Sequence, residues 1–323
     1  MAVKDKPAGN GLIGKADCFF SFCGEKEKDN GEDSLVYALN ESMALLGVFD
    51  GCGGSGAGRY AGVRNKSGAY LASRAAAGAF LDWFNGLDPQ KEPDVRDVKW
   101  MVKRYLKTCY ANGGEDTGGM LMGRMSKKLP TTAAAALCRP ARSGVDVQLF
   151  WAGDSRVYLL DSEGLAQLTE DDLGGIDAMR NLSEDGVLTN VINLTRDFSI
   201  HTARLTMGRP GLLFAASDGC FGYLSTPMEF EYLLLSTLQS AASIDEWEKS
   251  LAAAIGKVAG DDYTLCGFSW NFGSLDNMKR QLAGRTNLVY RNYIRGLDSC
   301  SKEEKLLLWE HYRDHYHRLL CRA

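Results

Sequence analysis

The order of its segments predicts an α+β protein, with antiparallel sheets covered by helices. Three observations carry this. Strand patterns open the chain, two helix patterns follow, strands return, two more helices follow, and a strand precedes a helical tail. That order lacks the strict βαβ alternation of a doubly wound fold. The 323 residues, 45% hydrophobic and 24% charged, are enough to bury a sizeable core.

The elements follow in order. Residues 17–24 and 34–49 read as three short strands separated by turns. From Gly58 to Leu87 an Ala-rich stretch spaces Tyr60, Val63, Tyr70, Leu71, Phe80, Leu81 and Phe84 as a helix packed by small side chains. Pro89 and Pro93 end it, and a second helix is expected from Asp94 to Asn112. The Gly- and Met-rich residues 113–130 read as a loop. Strands are expected at 131–138, 145–152, 155–161, 165–169 and 212–217, with a long segment of few clear periods at 170–210. Helices at 227–240 and 244–258 precede a strand at 263–270. The tail, 274–323, reads as two helices. Ser301 and Glu304 form a capping box for the second, and Leu308, Tyr312, Tyr316 and Leu319 form its apolar stripe.

Composition excludes several classes. Apolar content is high and the net charge only −4, so disorder is not the dominant state. That acidic balance argues against a nucleic-acid binder. Nine Cys with no C-x-x-C pair point to scattered thiols in a reducing compartment rather than a disulfide framework. No run approaches the ~20 apolar residues of a membrane span, and the first residues lack an apolar signal core. A cytoplasmic location is therefore expected.

Four acidic sites each end an apolar strand pattern beside glycine. They are Gly31-Glu32-Asp33, Phe49-Asp50-Gly51, Ser217-Asp218-Gly219 and Gly260-Asp261-Asp262. Any single Asp-Gly is an ordinary turn dipeptide. Several carboxylates converging at strand ends would repel one another, and a hard divalent cation relieves that repulsion. Glycine beside an acid lets a backbone carbonyl approach such an ion.

In order, these sites resemble the motifs of the metal-dependent serine/threonine phosphatases of the PPM family (type 2C). Lys28-Asp29-Asn30-Gly31-Glu32-Asp33 resembles R-x-x-N-E-D, and Val48-Phe49-Asp50-Gly51-Cys52-Gly53-Gly54 resembles V-F-D-G-H-G-G. Gly153-Asp154-Ser155-Arg156 resembles G-D-S-R, Leu168-Thr169-Glu170-Asp171-Asp172 resembles L-T-x-D-H, Ser217-Asp218-Gly219 resembles S-D-G, and Asp261-Asp262-Tyr263-Thr264 resembles D-N-x-T. The resemblance implies a four-layer α-β-β-α sandwich: two antiparallel sheets flanked by helices, followed by the C-terminal helical extension. It divides the chain into a phosphatase domain over 1–273 and the extension over 274–323. It also implies a two-metal centre of Mn²⁺ or Mg²⁺. Asp50 would bridge both ions, the Gly51 carbonyl would bind one, and Asp218 and Asp261 would bind the other. Asp33 and Glu32 would act through water or as outer ligands. Asp50 and Asp218 are thus the expected catalytic residues, and Lys28 the expected ligand of the substrate phosphate. The implied substrate is a phosphoserine or phosphothreonine protein, the product of a Ser/Thr kinase.

Three departures bear on activity. Lys28 stands in place of arginine and lacks its bidentate fork. Cys52 stands where some members carry a histidine. Lys127 and Lys128 lie where an acid for a third ion is expected, so that ion is absent or weakly held. These departures support an alternative, a catalytically weak or inactive member acting as a binding or regulatory module. The family's variable flap falls on 170–210, which holds Asp171, Asp172, Asp177, Glu184, Asp185 and Asp197.

Other constellations are weaker. Gly51 to Gly56 satisfies G-x-G-x-x-G, but no acid occurs from 52 to 81, as a dinucleotide site requires. Gly53 to Ala57 approaches a nucleophile elbow but ends in alanine, with His201 the sole histidine before 311. His311 and His315 lie four apart and lack a third well-placed zinc ligand, so aromatic packing is the default. The tail, with ten Lys/Arg and six Asp/Glu over 275–323, suits docking on the acidic remainder or on a partner.

Overall fold

The computed structural model describes residues 16–113, 128–174, 178–179 and 186–322. Two five-stranded antiparallel sheets stack face to face. One has the order β1-β12-β11-β8-β9 and the other β10-β7-β6-β3-β2. The first comprises β1 (Ala16–Gly24), β8 (Arg156–Asp161), β9 (Gly164–Gln167), β11 (Gly211–Ala216) and β12 (Tyr263–Trp270). The second comprises β2 (Ser34–Leu39), β3 (Ala44–Phe49), β6 (Ala133–Ala141), β7 (Gly144–Ala152) and β10 (His201–Met207). Leu46, Val48, Ala134, Trp151, Leu213 and Phe268 fill the space between the sheets. Both faces of the central strands are buried, so β3 and β11 read as continuous apolar runs.

Helices cover the outer faces. Helix α1 (Gly68–Asn85) buries seven positions as Ala or Ser, letting it lie close to β2 and β3 and to α2 (Val95–Gly113). Helices α3 (Pro227–Ser240) and α4 (Ile244–Gly256) cover the first sheet with α5 (Leu275–Val289) and α6 (Lys302–Tyr316). Among the described residues no helix is long and apolar enough to cross a membrane.

The expected fold class is observed, with three local differences. Helix α1 begins at Gly68, ten residues after the expected Gly58, capped by the Ser67 hydroxyl 3.0 Å from the Tyr70 amide. A small hairpin, β4 (Arg59–Tyr60) and β5 (Lys66–Ser67), occupies the preceding residues. Arg64 and Asn65 adopt φ of 56° and 58° there, which ends any helical run. Strand β10 emerges within 170–210, where no strand is expected. In the last helix the capping box is present, and Trp309, Tyr312 and Tyr316 are buried, while Leu319 of the expected stripe is exposed. The expected loop at 113–130 falls mostly outside the described residues, as do Lys127, Asp177, Glu184 and Asp185.

The tail is docked on the first sheet. Arg285 of α5 forms a bidentate pair with Glu231 of α3, at 2.6 and 2.8 Å. Arg318 reaches Asp161 at 2.9 Å, and the Cys321 amide donates to the Leu168 carbonyl at 2.9 Å. Two tail histidines pack against aromatic rings, His317 lying 5.6 Å from the Trp309 ring and His315 6.3 Å from that of Tyr312, while His311 is exposed.

Candidate active site

One end of the sandwich collects the acidic strand ends. Asp50 follows β3, and its carbonyl accepts from the Thr131 hydroxyl and the Thr132 amide, both at 2.8 Å. Its own amide donates to the Thr132 hydroxyl at 3.2 Å. Asp50 is thereby pinned to the entry of β6. Gly51 sits where no side chain fits: a Cβ would lie 2.6 Å from the Ala69 carbonyl oxygen and 2.8 Å from that of Glu32.

Asp33 precedes β2 and is 3% exposed. Its Oδ2 accepts from the Ser217 hydroxyl at 2.7 Å, and Ser217 Oγ in turn accepts from the Thr264 amide at 2.9 Å. Its Oδ1 is buried with no hydrogen-bond partner. Asp218 opens a short 3₁₀ turn after β11. Gly219 in that turn abuts the Asp262 carbonyl, which holds the turn against the loop of Asp261 and Asp262.

These carboxyls are close enough to perturb one another. Burial pushes the Asp33 carboxyl up to about 7, with repulsion from Asp218 and Asp262 adding and the Ser217 hydroxyl opposing. Asp50 is pushed well above the carboxylate range by burial, then by Asp33 and Asp218. Asp218 is raised by burial and by Asp261, while a hydrogen bond with Asp50 opposes the shift. Structure therefore brings together Asp33, Asp50, Asp218 and Asp261, with the Gly51 backbone beside them. Lys28 lies exposed on the β1–β2 loop, and Cys52 is half-buried after Gly51.

Three contributors were not singled out as site residues from sequence. Asp154 follows β7 and Gly153, at φ 96°, and it too is pushed well above the carboxylate range by burial and by Asp218. Its Gly-Asp at a strand end is the same pattern that marks the other acids. Asp262 is the buried member of its pair, accepting from the Lys26 amide at 2.7 Å and the Glu32 amide at 2.6 Å. It clamps the β1–β2 loop while Asp261 stays exposed. Arg156 is a buried cation beside the cluster, its charge favouring ionised Asp154 and Asp218.

The donor set suits hard cations: carboxylate oxygens, a glycine carbonyl and one orphaned buried oxygen on Asp33. Among the described residues no group of three His, Cys, Asp or Glu side chains is placed to hold an ion as it stands.

No protein-family model matches the chain. A Mycoplasma genitalium protein named "putative protein phosphatase" is 25% identical over 260 residues, spanning 74% of this chain and 91% of that protein. The Mycobacterium tuberculosis serine/threonine phosphatase PstP superposes with a TM-score of 0.53 at 19% identity, covering 78% of this chain and 98% of that one. The S. agalactiae serine/threonine phosphatase gives a TM-score of 0.55 at 16% identity, covering 78% and 99%. A PPM Ser-Thr phosphatase from Mycobacterium smegmatis gives 0.53 at 13% identity, covering 80% and 100%. Two antiparallel sheets flanked by helices, with the acidic strand ends gathered at one edge, give this chain the fold of the bacterial PPM-type serine/threonine phosphatases.

Proposed function

We propose that the chain is a metal-dependent protein phosphatase that hydrolyses phosphoserine and phosphothreonine in proteins. One observation carries the reading: Asp33, Asp50 and Asp218 converge from three separate loops, each held in a neutral-favouring environment, with one Asp33 oxygen left without a partner. Buried repelling acids cost stability unless something offsets them. Two divalent cations, Mn²⁺ or Mg²⁺, supply a water of lowered pKa when bound. Asp50, Asp218, Asp261 and the Gly51 carbonyl would hold them, with Asp33 acting beside them. Asp50 is fixed for this by Thr131 and Thr132, and Asp33 by Ser217. Lys28, exposed on the β1–β2 loop, would add positive charge for the substrate phosphate. No side-chain nucleophile is required. The phosphatase unit spans 1–273, with 274–323 docked on it, and the protein acts in the cytoplasm on products of a Ser/Thr kinase.

The test is hydrolysis of a phosphothreonine peptide with Mn²⁺, with Mg²⁺ and with EDTA, beside Asp50→Asn and Asp218→Asn. We expect metal-dependent turnover that falls by at least about 100-fold in each variant, since a ligand loss should exceed the effect of an outer-shell change. No turnover by the folded wild-type chain with either metal would favour the binding-module alternative.

A further inference from the structure

The β4–β5 hairpin lies between the Asp50-Gly51 loop and α1, against the acidic cluster. It carries Arg59, Arg64 and Lys66 within eight residues. The hairpin is anchored: Tyr60 is 2% exposed and packs edge-on against Tyr110 of α2 at 6.0 Å, and the Gly68 amide donates to the Gly58 carbonyl at 2.7 Å. Two consecutive left-handed residues, Arg64 and Asn65, turn it. Left-handed non-glycine backbone persists where the surroundings enforce it and is often found at functional sites.

Between this hairpin and the β1–β2 loop lies a pocket of about 280 Å³. Lys26, Arg59 and Lys66 line it together with four acids, Glu27, Glu32, Asp261 and Asp262, and Lys28 does not. Lys66 reaches across to the β1–β2 loop: its Nζ donates to the Asp29 carbonyl and to Asn30 Oδ1 at 3.2 Å, and sits 4.9 Å from the Tyr70 ring centre. The Arg59 Nη1 donates to the Asn65 carbonyl at 3.1 Å, and its charge bears on Glu32. Cations thus face an acidic wall that includes a candidate metal ligand. With metal ions held by the acidic wall, a phosphate monoester would fit that charge order, its oxygens meeting positive charge on both sides.

We propose that this pocket is the phosphate-binding side of the cleft, with Arg59 and Lys66 gripping the substrate phosphate. Arg59 supplies the fork that Lys28 lacks. The inference rests on the phosphatase reading. Its test uses the full-length protein loaded with Mn²⁺ and inorganic phosphate as probe, read by titration calorimetry and by inhibition of phosphothreonine-peptide hydrolysis. The double variant Arg59→Gln/Lys66→Gln should bind phosphate at least about tenfold more weakly, as expected for lost charge-assisted hydrogen bonds. It should raise KM more than it lowers kcat. Mn²⁺ affinity should stay within about twofold, Lys66→Arg should keep phosphate binding, and Arg59→Lys should lose part of it with the fork. Three results would each overturn the proposal: undiminished phosphate affinity in the double variant, an equal loss in the remote exposed Arg142→Gln, or a larger loss in Lys28→Gln. Phosphate binding without turnover by the wild type would sink the phosphatase reading and leave the pocket standing.

Discussion

Arg156 and Tyr316, 160 residues apart in the chain, meet in the core, the guanidinium Nη1 donating to the tyrosine oxygen at 3.3 Å. Tyr158 closes the triangle, 3.1 Å from each. The same guanidinium pairs with Asp171 at 2.7 and 2.9 Å and stacks over Phe221 at 4.1 Å. Phe221 belongs to the turn that Asp218 opens, its amide donating to the Asp218 carbonyl at 2.9 Å. One buried cation therefore ties the tail helix, the start of segment 170–210 and the turn opened by Asp218 together. The tail is expected to be part of the folding unit. Tyr316→Phe should cost about 0.5–1.5 kcal/mol, as Arg156 keeps its other partners. Deleting 274–323 should abolish the cooperative thermal transition seen by circular dichroism, because Glu231 and Arg156 would both lose partners. A deletion variant melting within a few degrees of the full chain would refute this.

The acidic cluster should invert the usual pH dependence of the metal-free protein. Asp33 titrates near 3.8 unperturbed and about 7 in the fold. Between those values the folded chain binds more protons than the unfolded one, so stability falls as pH rises through the window. Asp50 and Asp218 shift in the same direction. In EDTA, the urea midpoint should therefore be higher at pH 5 than at pH 7.5, and Asp33→Asn should flatten the slope. Excess Mn²⁺ at pH 7.5 should recover the loss. A midpoint that rises with pH in EDTA would show that the carboxyls are already relieved.

Asp50 and Asp218 were legible in the sequence because each ends an apolar run with an acid beside glycine, and Asp33 and Asp261 because each stands in a Gly-acid-acid stretch just before one. Asp154 carries the same mark within Ala152-Gly153-Asp154, and reading it only as a motif element missed its place among the acids. Which member of Asp261-Asp262 is buried was not legible, since that depends on the β1–β2 loop folding back onto Asp262. The β4–β5 hairpin was hidden because Tyr60 and Val63 continue a helical spacing, and nothing short of the left-handed backbone at Arg64 and Asn65 separates it from α1. Strand β10 escaped because it is an edge: Ala203 and Leu205 are only half-buried, between exposed Thr202, Arg204 and Thr206. Tail packing was legible in outline, and Trp309 was missed because the chosen stripe ran through Leu308.

Ser217 is expected to matter for metal affinity although it is not a candidate ligand. Its hydroxyl relays between the Thr264 amide and Asp33 Oδ2, orienting Oδ1 away from the hydrogen-bonded side. Ser217→Ala should weaken Mn²⁺ binding by about 10–100-fold, the usual effect of losing an outer-shell partner. Calorimetric titration on the folded variant measures this. Unchanged affinity would mean that Asp33 takes no part in holding the ion.

Glu231 offers the sharpest test of how the tail is held. It is 0% exposed, and its carboxylate accepts from Arg285 at 2.6 and 2.8 Å, from the Leu165 amide at 3.1 Å and from the Tyr312 hydroxyl. Those partners come from α5, β9 and α6, so one carboxylate joins both tail helices to the sheet. Removing it strands a largely buried guanidinium. Glu231→Ala should therefore cost about 3–5 kcal/mol in urea unfolding, the range for breaking a buried pair by one partner. Replacing both groups, as Glu231→Leu with Arg285→Met, should cost less than the single change, because no charge is then left buried alone. If the double variant is instead the less stable of the two, the pair contributes through its hydrogen bonds to Leu165 and Tyr312 more than through its charges.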